Sequence, residues 1–405
     1  MTRMKDSGIE WIGEVPEEWG ITKLKYICGM QSGNNLTSLE ISSENDGGNI
    51  FPVYGGNGQR GYYSDFTNEG NYCLIGRQGA LAGNVHFVSG KFWATDHAIV
   101  VYEHTHTYSK YLCYLLKAMN LNQYAFETSA QPGLSVEKIL QLETIHCPKG
   151  EQTQIADFLD KKVAQLDKVK SLLEEQIKTL EDYRQSLIYE TVTKGLDKTV
   201  PLKDSGVDWI GQIPEGWGVK KHKYIMSKTK TLCSHYSGQK ILSLTRQGII
   251  TRDVESGKGK MPASFDGYQF LTRGDLLLCL FDIDVTPRCV GVVESDGLTS
   301  PAYSRFKVSE DSNVYYYYYL FLAMDDDKVL LHLAKNLRNS LTEDDFGDIK
   351  TIVPPYKEQE MIANYLNKKT VLIDKLIQLK KEQIENINEQ RQTLIYDYVT
   401  GKRRV

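Results

Sequence analysis

The residues of this chain with the chemistry to act on a substrate are few and poorly clustered. Asp282 and Asp284 alternate on a stretch that reads as a strand, placing two carboxylates on one side as a divalent cation requires. No third carboxylate or nearby lysine completes the set, so the metal reading is set aside. Gly257-Lys-Gly-Lys260 offers lysines to a phosphate but lacks the first glycine and the Ser/Thr of a phosphate loop. His104 and His106 face one side of a strand end and are too few to hold a metal. Seven cysteines, at 28, 73, 113, 147, 233, 279 and 289, are odd in number and contain no CxxC pair. They suggest neither a disulfide framework nor a zinc ribbon and read as small core residues. No catalytic constellation and no metal site emerges.

A chain without reactive residues must work through what it positions, and its elements show what that is. Residues 151–193 recur as residues 358–400, with 20 of 43 positions identical at an offset of 207. Leu159, Leu166, Leu173, Leu180 and Leu187 are seven apart, with Ile177 between them and neither Gly nor Pro interrupting. The second copy keeps Leu366, Ile373, Ile384, Ile387 and Leu394. This spacing predicts two long helices with a coiled-coil seam, each the partner of the other. Some forty residues at about 1.5 Å each make a rod of roughly 60 Å. Lys170 and Lys380 fall on the seam, where polar residues cost stability but fix register and partner number. They are expected to leave a groove for partner helices.

A second repeat surrounds the first. Residues 4–27 match residues 202–225 at 15 of 24 positions, so the order is motif, middle, helix, motif, middle, helix. Trp11, Trp19, Trp209 and Trp217 stand beside Pro16 and Pro214 in short aromatic-anchored loops, where packing is their role. The first helix stops near Gly195 and the second near Gly401. If the halves are equivalent, the first motif lies beyond the end of the second helix, the helices run antiparallel, and the molecule is cyclic and pseudo-twofold.

The first middle, residues 22–147, mixes a glycine-rich loop at 54–62 with strands at 72–75, 84–88 and 98–102, then a helix at 108–119 and an N-cap at Ser135. The second, residues 220–354, ends alike, with a helix at 315–324 and a cap at Thr342. Val353-Pro-Pro-Tyr356 has the outline of an amino-methyltransferase tetrapeptide, but that motif needs Asn or Asp first. Its twin is His146-Cys-Pro-Lys149, so both read as proline lead-ins to a helix. Between residues 241 and 308 the second middle hardly resembles the first. The scaffold is thus nearly repeated while the cargo differs, and the two cargo surfaces should bind different things.

Taken together, DSGIEWIGEVPEEW and DSGVDWIGQIPEGW opening the halves, GGNGQRGY and SAQPGLS in the first middle, FDIDVTPR and GLTSPAY in the second, and EQ..IA..L..K closing each half resemble the specificity subunits of type I restriction-modification systems. The resemblance covers almost the whole chain. It implies an α+β architecture of two mixed α/β target recognition domains joined by two long antiparallel helices. The division is residues 1–150, first domain; 151–194, first helical spacer; 195–357, second domain; and 358–405, second spacer. Each domain would read one half of a bipartite asymmetric double-stranded DNA target, and the helices would set the spacer and dock two methyltransferase subunits. It implies no catalysis and no cofactor in this chain. S-adenosylmethionine, ATP and Mg²⁺ would belong to those modification subunits and to restriction/translocase subunits.

The family motif does not identify base-contacting residues; composition and residue type narrow them. Residues 22–144 hold 8 Lys+Arg against 10 Asp+Glu, and residues 220–351 hold 18 against 17, within a net charge of −4. Phosphate neutralisation supplies most non-specific DNA affinity, so the isolated chain should bind weakly and rely on partners to close around the duplex. Specificity would come from Arg, Lys, Asn and Gln in loops: Asn57, Gln59, Arg60, Arg77, Gln78 and Gln131 in the first domain. In the second they are Arg246, Gln247, Arg252, Lys258, Lys260, Arg288, Lys335 and Arg338. The tyrosine run 315–319 matches Tyr111 and Tyr114 of the first domain and reads as core rather than as a stacking platform. With both domains on one face of the rod, the half-sites should span on the order of 12 to 17 base pairs, with an unread spacer of about 5 to 8.

The longest apolar run, residues 276–281, is too short to span a bilayer, and the N-terminal residues show no signal-peptide core, so a cytoplasmic location without membrane contact is expected. The rival reading is a coiled-coil assembly scaffold without DNA binding. Arg-containing loops that differ between the two halves fit that rival less well.

Overall fold

The computed structural model describes residues 3–79, 82–127, 132–254, 262–286, 288–334 and 339–405. Two helices dominate, Lys149–Lys194 and Tyr356–Val399. Each begins on a proline carbonyl, Pro148 accepting from Glu151 and Gln152, and Pro355 from Glu358 and Gln359. Each ends on a left-handed glycine, Gly195 at φ 73° and Gly401 at φ 74°, a conformation that costs glycine nothing.

The chain forms two compact units, and these cut across the four-part division. The first comprises Met1–Leu173 and Lys381–Val405, the second Glu174–Lys380. Each unit therefore takes one globular domain with half of each long helix. The physical reason is that a helix with one apolar stripe gains most by burying each end against the globular core beside it.

In the first unit the Phe158 and Tyr398 rings lie 4.5 Å apart and Arg391 pairs with Asp167 at 3.7 Å. One number rises as the other falls, so the helices run antiparallel there. In the second, Lys380 Nζ donates to Gln176 at 2.6 Å and Arg184 pairs with Asp374 at 3.7 Å, in the same sense. Of the seam positions, Leu159, Leu366 and Ile373 are buried. Leu166, Leu173, Ile177, Leu180, Leu187, Ile384, Ile387 and Leu394 are half-buried. Of the half-buried ones, Leu394 and Leu187 pack at the edges of the two globular cores.

The first unit's sheet has six strands, in the order Cys28–Ser32, Ala98–Glu103, Asn68–Gly76, Val85–Ala94, Phe51–Gly55, Gly58–Tyr63. Strand alternation divides its two faces. Cys73, Ile75, Ile99 and Val101 pack with helix Ser109–Ala118, with Ile155 and Leu159 of the first long helix, and with Ile395 and Val399 of the second. Leu74, Val88, Phe92 and Val100 form a smaller core on the opposite face.

The second unit repeats the first four strands of that order as Met226–Lys228, Ser304–Val308, Leu276–Leu278 and Val290–Val292. Helix Val314–Asp326 packs on them with Ile188, Val192, Ile362 and Leu366. Beyond the fourth strand the units part. In the first, Val53 and Tyr54 pair in parallel with Trp93 and Ala94 and extend the sheet. In the second, the hairpin Leu242–Thr245/Gly248–Thr251 and the pair Gln269–Leu271/Gly297–Thr299 are separate two-stranded sheets.

Several local expectations change. The motif segments are not only loops: Met4–Asp6 pairs with Glu14–Pro16, and Leu202–Asp204 with Gln212–Pro214. The glycine-rich stretch 54–62 is a hairpin with a register shift at Val53/Tyr54. Gly61, at φ 153°, lies where a Cβ would come 2.3 Å from the Ser42 carbonyl. Asp282 is not on a strand; it sits left-handed at φ 47° in a turn whose Thr286 hydroxyl donates to its carbonyl at 2.8 Å. His104 and His106 lie in the loop past the strand end, with the His104 ring against the Tyr26 carbonyl.

Candidate nucleic-acid interface

Hairpin, sheet and loop meet at one place in the first unit. The turn between Phe51–Gly55 and Gly58–Tyr63 carries Asn57, with Gln59 and Arg60 just after it. Strand Asn68–Gly76 ends at Arg77 and Gln78, and the connection from Val85–Ala94 to Ala98–Glu103 carries Asp96 and His97. Asn57, Gln59, Arg60, Gln78 and His97 together line a cavity of about 390 Å³ floored by Gly56 and Gly58.

The polar groups there are held but not exhausted. Asn84 Nδ2 donates to Asn57 Oδ1 at 3.3 Å, His97 Nδ1 lies 3.1 Å from Gln78 Oε1, and Arg60 Nη2 donates to Ser38 at 3.3 Å. Asn57, Gln59, Arg60 and His97 remain exposed. An arginine and several amides presented side by side can donate and accept in paired hydrogen bonds, which is what the major-groove edges of guanine and adenine require. Arg77 differs: it is half-buried and its Nη1 donates to the Asp96 carbonyl at 3.5 Å, so it braces the loop that carries His97. Gln131 lies outside the described residues.

The second unit spreads its candidates. Arg246 and Gln247 form the exposed turn of a hairpin, where Gln247 N donates to Thr245 Oγ1 at 3.2 Å. Arg252 stands at the base of that hairpin, its N–H donating to the Ile241 carbonyl at 2.7 Å. Arg288 Nη1 donates to the Tyr318 hydroxyl at 3.3 Å. It faces Asp326, whose pKa burial and the neighbouring Asp325 push up while Arg288 pulls it down. Lys258, Lys260, Lys335 and Arg338 fall outside the described residues.

Of the tyrosine run, Tyr316, Tyr317 and Tyr319 are buried and Tyr315 donates to Glu294, which is packing and bracing. Among the described residues no group of three or more His, Cys, Asp or Glu could hold a metal, and all seven cysteines are buried and free. Among them, too, no helix is long and apolar enough to cross a membrane.

Sequence reasoning missed His97 and Asp96 because a Thr-Asp-His-Ala turn between strands carries no signal of its own. It also left unassigned an exposed apolar ridge on the second unit's long helix, at Val371, Leu372, Leu376 and Leu379, and, separately, the exposed Val169 and Leu172 in the first unit. Apolar rows left open on a helix that already has one partner mark a contact surface.

Residues 16–181 match the family model of the type I restriction modification DNA specificity domain. The EcoprrI specificity subunit of a type I restriction enzyme of Escherichia coli is 42% identical over 138 residues, 34% of this chain and 34% of that protein. The matched segment thus spans about a third of that relative's length. A solved chain from work on the complex assembly and conformational transition of the type I R-M system superposes with a TM-score of 0.66. It covers 95% of this chain and 98% of that one at 14% identity, a likeness of fold.

Proposed function

We propose that the chain is a specificity subunit of a type I restriction-modification system and selects the DNA sequence on which partner subunits act. Its two recognition domains read the two halves of a bipartite asymmetric duplex target. Its long helices set the unread spacer and dock two methyltransferase subunits through the exposed ridge. Adenine methylation with S-adenosylmethionine belongs to those partners, and ATP- and Mg²⁺-dependent translocation and cleavage belong to restriction/translocase subunits; this chain is non-catalytic. The setting is cytoplasmic.

One observation carries the reading. A duplicated four-strand-plus-helix scaffold bears two different outer hairpins, and in the first unit that hairpin gathers Asn57, Gln59, Arg60, Gln78 and His97 into one open polar patch. An assembly scaffold has no use for such a patch on a divergent hairpin. The test is a genome-wide N6-methyladenine map with and without the gene. A bipartite motif that vanishes with the gene supports the proposal; an identical map in both strains leaves the scaffold reading standing.

A further inference from the structure

A second and larger cavity of the first unit, about 1250 Å³, runs on from the reader patch, because Gly58 and Gln59 line both. One wall is Val85–Ala94 and the end of helix Ser109–Ala118; the other is the last three turns of the second long helix, at Asn388, Arg391 and Gln392. Its volume exceeds the roughly 300–1,000 Å³ of small-molecule sites and suits a segment of a polymer.

The charge of the lining selects the polymer. Lys117 and Arg391 line the cavity together with the amides of Asn84, Asn388 and Gln392, and no carboxylate is among the described residues that line it. Arg391 Nε faces Asp167 Oδ1 at 3.7 Å, which anchors the arginine at the cavity wall.

At the matching positions the second unit does not repeat this charge. Met119 corresponds to Met324 on the two domain helices, so Leu322 stands where Lys117 is, and Asp325 stands where Asn120 lines the cavity. The arginine of the long helix is kept as Arg184 on Asp374, so Lys117 is the cation that sets the first unit apart.

We infer that this groove is a phosphate track, in which Lys117 and Arg391, with the flanking amides, hold the sugar-phosphate backbone of the duplex next to the half-site read by the first domain. This rests on the DNA-recognition reading above and adds a binding surface on the long helix, where only spacing and docking had been assigned. Phosphate contacts fix orientation and register without carrying sequence, and they give binding its salt dependence.

The test measures binding of the chain assembled with its modification subunits to a target duplex and a scrambled duplex over a series of salt concentrations. The variants are Lys117→Gln, Lys117→Arg, and Lys91→Gln as an exposed lysine outside the groove. Lys117→Gln should weaken both duplexes alike, about three- to tenfold, and lower the slope of log K against log salt by about 1 while the methylated motif stays the same. Lys117→Arg should restore the slope, and Lys91→Gln should leave it unchanged. A full slope in Lys117→Gln overturns the track, as does a loss confined to the target duplex, which would make Lys117 a base reader. Loss of subunit assembly on a sizing column, with the slope unchanged, overturns it in favour of a protein occupant. A wild-type complex that does not distinguish the duplexes overturns the recognition reading itself.

Discussion

The indole Nε1 of Trp19 donates to Glu151 Oε2 at 2.9 Å, tying the opening motif to the start of a helix 132 residues later. Trp217 makes the same bond to Glu358 at 2.8 Å. The two differ in what else reaches the carboxylate: Arg404 pairs with Glu151 and Glu18 and lies over the Trp19 ring, 5.6 Å from its centroid. Glu151→Gln keeps an acceptor for the indole N–H and loses only the charge that Arg404 pairs with, so it should cost less than about 1 kcal/mol. Glu151→Ala also leaves the buried N–H unpaired and should cost about 1–3 kcal/mol. Urea unfolding of the full chain checks the order; equal costs would remove the Trp19 bond from the account.

The glycines that end the long helices should not be equally replaceable. Both are left-handed, so alanine is strained by about 1 kcal/mol at either. At Gly195 a Cβ would meet the Trp217 ring at 3.2 Å, whereas at Gly401 it would meet Pro16 at 2.6 Å and Trp19 at 3.0 Å. Gly401→Ala should therefore lower the unfolding midpoint clearly more than Gly195→Ala does. The reverse order would mean that Pro16 and Trp19 yield easily.

Acid should weaken the second unit through His222. That imidazole is fully buried, its Nδ1 on the Phe346 carbonyl at 2.9 Å and its Nε2 without a partner, and burial pushes its pKa from 6.5 to about 4. The unfolded chain accepts the proton from about pH 6.5 downward while the folded chain refuses it. Stability from this group is thus full above pH 6.5 and is lost as pH falls toward 4, reaching about 2 kcal/mol at pH 5. The matching residue of the first unit is the buried Leu24. His222→Leu should flatten the drop in unfolding free energy between pH 7 and pH 5. An unchanged drop would place the titrating group elsewhere.

Recognition should separate by unit. Exchanging residues 22–147 for those of another subunit should change one half of the methylated motif and leave the other intact. Arg60→Ala should relax a single position in that half, worth about 1–3 kcal/mol of discrimination. A motif altered in both halves would end the one-domain, one-half-site scheme.

Four residues inserted at Lys170 add one helical turn to the first long helix and should lengthen the unread spacer of the methylated motif without altering either half. An unchanged spacer would show that the helix is not the ruler. Replacing Lys170 and Lys380 together with leucine should strengthen the helix pair and weaken methyltransferase assembly, which a sizing column reads.

The sequence by itself determined the duplication, the long helices with their proline starts and glycine stops, the Ser135 and Thr342 caps, and the buried tyrosines. These rest on local rules, since heptad spacing, cap chemistry and left-handed glycine act within a few residues. Comparing the copies even implied that the first motif lies beyond the end of the second helix, and there the Tyr396 hydroxyl donates to the Trp11 and Ile12 carbonyls at 3.0 Å, as Tyr189 does to Trp209 and Ile210. Only the tertiary structure decided which polar residues share a surface. Asn57 and His97 meet because Val53 pairs in parallel with Trp93, forty residues on, and no local pattern encodes that pairing. Arg77 was indistinguishable from Arg60 until one was turned inward on Asp96 and the other left open. Lys117 gained its place only when the second long helix brought Arg391 opposite it, because chain-distant side chains acquire a common function through the packing that closes the space between them.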